Sequence, residues 1–211
     1  MKNNKNYGTC FIFSAPSGTG KSSLLQNFIS KNILNNIFLS ISYTTRLKRK
    51  KEIDKIHYNF VSKKIFKNMI NKKKFVEYSK VFNNYYGTNF NTLYENIIIG
   101  RDIFLDIDYK GACQIKKKIK FAKSIFILPP SKIEIIKRLK LRNQDSTINI
   151  INRMKNFSKE IKNYKKYDYL IINDDFNKTL KNIKIIIKSE RLKTIHNKYK
   201  YSRLLNNLLN K

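Results

Sequence analysis

Residues 14–23, Ser-Ala-Pro-Ser-Gly-Thr-Gly-Lys-Ser-Ser, constrain the fold more than any other stretch of this chain. They follow an apolar run, Cys10, Phe11, Ile12 and Phe13, that reads as a buried strand. They precede Leu24, Leu25, Phe28 and Ile29, which share one face of a helix. Strand, glycine loop, then Lys-Ser opening a helix is the arrangement of a phosphate-binding P-loop. Glycines let backbone N–H groups turn inward around phosphate oxygens, and the helix N-terminus adds a partial positive charge. Ala15, Pro16, Ser17, Gly18, Thr19 and Gly20 form the cradle, Lys21 reaches the β- and γ-phosphates, and Ser22 places its hydroxyl on Mg²⁺. Ala15 replaces the first glycine of the pattern, which a negative φ tolerates. A chance Gly-Ser turn would not bring strand and helix in the required order. The motif indicates a nucleoside triphosphate and leaves the acceptor open.

The 211 residues suit one domain with small inserted lobes, and an apolar fraction of 41% supplies a core. No stretch approaches the roughly 18 consecutive apolar residues of a membrane span. Residues 1–6 have no apolar segment of the kind a secretory signal carries, so the expectation is a cytoplasmic protein without membrane partners. Cys10 and Cys113 have no metal spacing and read as reduced thiols. With 45 Lys and Arg against 14 Asp and Glu, the net charge is +31, which by itself suggests nucleic acid. Lys, Asn and Ile dominate together, however, and all three have A/T-rich codons. The basic residues are also spread along the whole chain. The expectation is therefore codon bias rather than a specific nucleic-acid partner.

Apolar runs at residues 10–13, 103–105, 124–128 and 169–172 look like buried parallel strands separated by helical patterns. Residues 40–91 change texture, with Tyr, Phe, Thr and charge in short alternating pieces. They read as a small antiparallel β lobe with one helix near residues 65–70. Residues 131–158 read as a helical, basic insertion, and residues 191–211 as a basic amphipathic C-terminal helix. The core is expected from residues 7–39, 92–130 and 159–190. The fold class is α/β: a three-layer α/β/α P-loop core on a mostly parallel sheet, with a β-rich lobe and a helical lid.

Six further pieces follow the loop in fixed order: Ser42-Tyr43-Thr44-Thr45-Arg46 with Arg49; Tyr58-Asn59-Phe60-Val61; Phe75-Val76-Glu77-Tyr78; Asn84-Tyr85-Tyr86-Gly87-Thr88; Asp106-Ile107-Asp108; and Tyr167-Asp168-Tyr169-Leu170 through Asp175. In this register the whole chain resembles the bacterial guanylate kinase family of P-loop nucleoside monophosphate kinases. The resemblance implies transfer of a phosphoryl group from ATP to GMP, with Mg²⁺ accompanying the ATP, and it allows a homo-oligomer. Ser42 and Thr88 match positions at the O6/N7 edge of guanine. Arg46, Arg49, Tyr58 and Tyr86 match the residues that hold the monophosphate. The position of Asp106 reaches GMP as well. Arg142 and Arg153, with Arg138, resemble lid arginines that neutralise the transferring group, and Asn173 matches a place near adenine. In this chain Lys48 and Lys50 stand where the family carries Pro and Gly around Arg49. Leu141 and Asn143 stand where it carries lid glycines, and Tyr109-Lys110 where it carries Trp-Gln.

Physical chemistry agrees with this register. Guanine presents N1–H and a 2-amino group as adjacent donors, and the Glu77 carboxylate offers two acceptors side by side. Adenine lacks the pair and would leave Glu77 unsatisfied, at a cost on the order of several kcal/mol. Arginine forks and phenols suit a phosphate. Asp106 and Asp108 end an apolar run, where carboxylates organise Mg²⁺. A helix N-cap aspartate is the other reading for one member of this pair, and Asp108 with Ser22 is the expected metal set. Three other functions compete: a peptide-binding scaffold, an RNA-binding protein, and a kinase for a different nucleoside monophosphate. Lys21, Ser22 and Asp106 oppose the first; no interleaving of aromatic and basic residues supports the second; and Glu77 opposes the third.

Overall fold

The apolar run that precedes the glycine loop becomes β1 (Cys10–Ser14), buried at all five positions as a central parallel strand requires. The computed structural model describes residues 7–50, 52–81, 83–141 and 147–209. After β1 come α1 (Lys21–Ser30) and β2 (Ile37–Ser40). A lobe follows with β3 (Tyr43–Thr44), β4 (Asn59–Phe60), α2 (Lys63–Asn71), β5 (Phe75–Val81) and β6 (Asn84–Asn89). The core resumes with α3 (Phe90–Ile98), β7 (Asp102–Asp106), α4 (Tyr109–Lys118) and β8 (Lys123–Leu128). Then come α5 (Lys132–Leu141), α6 (Thr147–Ile161), a 3₁₀ turn and β9 (Tyr169–Ile172), followed by α7 (Phe176–Arg191), α8 (Thr194–Lys200) and α9 (Ser202–Leu208).

Five strands run in the order β2-β7-β1-β8-β9, every neighbouring pair parallel. Alternation along β1 builds two apolar layers. Cys10 and Ile12 face a cluster with Leu93, Ile97 and Ile115 from α3 and α4. Phe11 and Phe13 face Leu24, Phe28, Ile183 and Ile187 from α1 and α7. Phe104 anchors the second layer, its ring centroid 4.7 Å from Phe13 and 5.4 Å from Phe28. Four of the five strands match the apolar runs. β2 does not, because it is short, follows Asn35-Asn36, and lies at the sheet edge with only Ser40 fully buried. Parallel order matters for the site: β1 lies beside β7, so the glycine loop and Asp106 leave the sheet at the same end, with Phe13 and Asp106 in register.

The lobe sheet runs β4-β3-β6-β5. It was expected to be antiparallel, but β3 and β4 pair in parallel. The connection between them, residues 45–58, is long enough to bring the chain back in the same direction, which takes about a dozen residues. That crossover carries Arg46, Arg49 and Tyr58. Phe66 of α2 fills the lobe core, with ring centroids 4.5 Å from Phe75 and 5.5 Å from Tyr85. Ile135 and Leu139 of α5 pack with Phe157 of α6. The C-terminal helix expected over residues 191–211 is instead two short helices, α8 and α9, interrupted at Tyr201, after α7 ends at Arg191. Among the described residues no helix is long and apolar enough to cross a membrane.

Candidate active site

A cleft of about 520 Å³ separates the glycine loop from the lobe. Its donor side is built by backbone. Gly18 and Gly20 take φ of 90° and 93°, which L side chains rarely adopt, and Gly20 is the N-cap of α1. Ala15 has no positive φ, so its replacement of glycine strains nothing. The Thr19 hydroxyl donates to the Pro16 carbonyl at 2.7 Å and stiffens the turn. The carbonyl of Thr19 is held from behind by Asn173 Nδ2 at 2.7 Å and Arg138 Nη1 at 3.1 Å. Arg138, read from sequence as a lid arginine, is thus a strut of the loop. Asn173 likewise turns its amide onto the loop and is almost fully buried.

Lys21 and Ser22 meet the end of β7. The Lys21 ammonium pairs with Asp106 Oδ1, and the Ser22 hydroxyl donates to Asp106 Oδ2 at 2.7 Å. Asp108, expected from sequence in the metal set with Ser22, lines the same cleft and has two other partners. Its Oδ1 accepts from Gly111 N–H at 2.7 Å as the N-cap of α4, and its Oδ2 accepts from the Ser79 hydroxyl at 2.9 Å. The carboxylate beside Ser22 is Asp106. One hydroxyl and one carboxylate are hard oxygen donors of the kind Mg²⁺ takes, so these residues fit the ion.

The lobe side is built by side chains. β5 carries a β-bulge between Phe75 and Glu77, with Glu77 opposite Thr88; Phe75 is buried against Phe66 of α2, Val76 in the cluster of α3 and α4, and Glu77 beside them. The Thr88 hydroxyl donates to Glu77 Oε1 at 2.7 Å. Glu77 is 2% exposed. Burial, reinforced by the Asp108 charge and opposed by the Thr88 bond, raises its carboxyl to about 7. Oε2 lies so close to Gly111 that a Cβ there would come within 2.5 Å of it. Ser42 lines the cleft and is buried.

The crossover loop completes the wall. Arg46 forms a double-pronged pair with Glu52, Nη2 to Oε1 at 2.7 Å and Nη1 to Oε2 at 3.0 Å. Burial lowers the Arg46 pKa, but the Glu52 hydrogen bonds and charge outweigh it and hold the guanidinium above its ordinary range. The same pairing holds Glu52 below its own, against burial. Tyr58 and Tyr86 meet edge to face with ring centroids 6.0 Å apart, and both line the cleft with Arg49. Burial, followed by the charge of Asp106, pushes the Tyr58 phenol above its usual range, so it remains a proton donor.

The structure therefore gathers the loop residues Ala15 to Ser22 with Ser42, Arg46, Arg49, Tyr58, Glu77, Tyr86, Asp106 and Asp108 on one cleft, with Thr88 buried behind Glu77. Arg142 lies outside the described residues. Arg153 sits on α6, and its side chain is outside them too. Sequence reasoning missed Glu52, Gly111, Ser79 and the strut role of Arg138. It also missed Asn156 and Lys159 of α6 and Asn163 of the 3₁₀ turn that follows it, which line the cleft from the lid side. Glu52 stood at the end of the basic run around Arg49, where the first carboxylate after four successive cations was the available signal.

A P-loop at the C-terminal edge of a parallel sheet, facing a lobe with paired arginines and a buried carboxylate, defines a P-loop nucleotide phosphotransferase. The family within that class follows from relatives. The family model described as guanylate kinase matches residues 7–190. A guanylate kinase of Buchnera aphidicola subsp. Schizaphis graminum is 50% identical over 202 residues, covering 96% of this chain and 98% of the relative. One from Salmonella typhimurium is 47% identical with the same coverage. The crystal structure of guanylate kinase from Anaplasma phagocytophilum matches with a TM-score of 0.74 at 32% identity, covering 90% of this chain and 89% of that one. The chain belongs to the guanylate kinase family.

Proposed function

We propose how this chain carries out the ATP-dependent phosphorylation of GMP to GDP. The ATP phosphates lie along the N–H groups of residues 15–20, and Lys21 turns from Asp106 to the β- and γ-phosphates. Asn173 serves the ATP site by holding the loop. Ser22 and Asp106 are the residues that would hold magnesium bound with ATP, which would supply neutralisation of charge on the transferring group. Glu77 accepts the N1–H and amino protons of guanine, while Ser42 donates at the adjoining O6/N7 edge, joined by Thr88 once its hydroxyl turns from Glu77. Arg46, Arg49, Tyr58 and Tyr86 fix the GMP phosphate, and Asp106 closes that subsite toward the donor. A GMP phosphate oxygen then stands in line with the γ-phosphorus. That oxygen is already ionised at neutral pH, so no general base is required. Arg142 and Arg153 neutralise the transition state from the lid, and closure of the lobe and lid excludes water.

In this reading residues 40–91 are the acceptor lobe and 131–158 the lid, and the reaction belongs to the cytoplasm, where both nucleotides are found. The observation that carries it is a single cleft holding Lys21 and Ser22 on Asp106 at one wall and the buried Glu77–Thr88 pair at the other. A coupled assay for ADP formation with ATP and Mg²⁺ tests it, using GMP against AMP, UMP and CMP. Turnover is expected with GMP, and equal turnover with AMP overturns the assignment of Glu77.

A further inference from the structure

Arginine carries five N–H donors in one plane. At Arg46 three of them are taken. Nη1 donates to Glu52 Oε2 at 3.0 Å and to the Leu47 carbonyl at 2.8 Å, and Nη2 donates to Glu52 Oε1 at 2.7 Å. Glu52 thus grips the tip of the fork. The side edge, Nε with the second Nη2 proton, has no partner among the described residues, and Arg46 lines the cleft. Two rings restrict rotation of the group, with the guanidinium carbon 5.4 Å from the Tyr58 centroid and 5.7 Å from that of Phe60. The same carboxylate accepts the backbone N–H of Arg49 at 2.8 Å, and Arg49 Nη1 stands 4.0 Å from Oε1. Lys48 and Lys50 flank Arg49 and add no conformational restraint of their own.

We propose that Glu52 is the positioning residue of the acceptor-phosphate seat. It holds Arg46 by the tip so that the side edge faces the cleft as a second, parallel pair of donors for a phosphate. It also ties the Arg49 backbone into the same frame and offsets one of two positive charges held close together. Glu52 touches no substrate in this role; it acts through the two arginines. The proposal rests on the assignment of Arg46 and Arg49 to the GMP phosphate.

The test separates phosphate from base by comparing the dissociation constants of GMP and guanosine on the full chain. Glu52→Gln, Glu52→Asp, Arg46→Ala and the double variant Arg46→Ala/Glu52→Gln are measured in parallel. Glu52→Gln is expected to shrink the GMP preference over guanosine about tenfold, leaving guanosine affinity and the KM for ATP unchanged. Glu52→Asp keeps the charge and is expected to lose about threefold. Arg46→Ala is expected to lose more than either, and the double variant no more than Arg46→Ala alone. If Glu52→Gln binds GMP as tightly as the parent chain, or more tightly, while Arg46→Ala collapses the preference, the seat stands and the role of Glu52 is overturned. If Arg46→Ala leaves the preference intact, the seat itself is wrong. Should Glu52→Gln lose guanosine binding, Glu52→Asp decides instead, and an unchanged preference in that variant overturns the proposal.

Discussion

The two walls of the cleft are built on different principles. The donor wall is made by backbone: positive-φ glycines, a helix N-terminus, and struts from Asn173 and Arg138 onto one carbonyl. The acceptor wall is made by side chains on a lobe of short strands: a buried carboxylate, hydroxyls, phenols, and arginines held by Glu52. Backbone recognition suits phosphates, which present the same oxygens whatever nucleoside they carry. Choosing a base requires donors and acceptors at fixed positions, which side chains supply. Power and selectivity are therefore expected to separate along the cleft.

Replacement of Lys21 tests the donor wall most severely. Lys21→Ala removes the one cation of the loop and is expected to lower kcat about a thousandfold. GMP binding, measured by calorimetry, stays near the parent value. A loss of GMP affinity as large as the loss of kcat would show that the walls are not separable. Glu77→Gln is the counterpart on the acceptor wall. It swaps one of two acceptors for a donor facing the guanine protons and is expected to lower kcat/KM for GMP about a hundredfold, with a much smaller change for AMP. Unchanged discrimination between GMP and AMP would remove Glu77 from base selection.

The same contrast explains what could be read from sequence. The cradle of the donor wall is one contiguous stretch on either side of Lys21, and its strand, loop and helix appeared in the order the structure shows, whereas the distant struts Arg138 and Asn173 could not be read as such. The acceptor wall is scattered between Ser42 and Thr88, and its residues acquired meaning only together, in register with a known family. The local pattern does not mark Glu77 as buried, because β5 packs on α2 through Phe75 and on the α3 and α4 cluster through Val76, and three buried residues in a row break the alternation expected of a strand. The roles of Asp106 and Asp108 were interchangeable in sequence, since a cap and a metal ligand call for the same residue type. Only the path of the chain after β7 separates them, sending Asp108 to Gly111 and Asp106 to Ser22. β2 escaped notice because four residues at a half-buried edge give too short a pattern to register.

Proton linkage sharpens the comparison further. Burial raises the Glu77 carboxyl from the ordinary 4.5 to about 7. The folded state therefore holds a proton that the unfolded chain releases. This contribution to stability is complete below about pH 4.5, is lost as pH rises through about 7, and is on the order of 3 kcal/mol at most. Binding of guanine requires the ionised form and runs the other way. The KM for GMP is expected to rise about tenfold for each pH unit below 7, while the KM for ATP does not follow. Thermal unfolding across pH 5 to 8, with and without GMP, checks both signs, and GMP should add most to the unfolding temperature at the alkaline end. Equal pH dependence of the two KM values would place the titrating group outside the acceptor wall.

Gly111 gives the smallest and most selective of these effects. It opens the first turn of α4, where its N–H is capped by Asp108, and it lies against Glu77 Oε2 with no room for a side chain. A Cβ at this position would approach that oxygen to 2.5 Å. The oxygen is the far end of a side chain and yields by rotating, so Gly111→Ala keeps the fold and moves the carboxylate. The helix itself gains from alanine, whose propensity exceeds that of glycine by about 1 kcal/mol. The variant is therefore expected to unfold at the same temperature or slightly higher, to raise the KM for GMP about fivefold through the displaced acceptor, and to leave kcat and the KM for ATP in place. A variant that loses stability instead would show that Glu77 is wedged and cannot rotate away. A variant with an unchanged KM for GMP would show that the acceptor wall tolerates a shift of its carboxylate, and selectivity would then rest on the hydroxyls of Ser42 and Thr88.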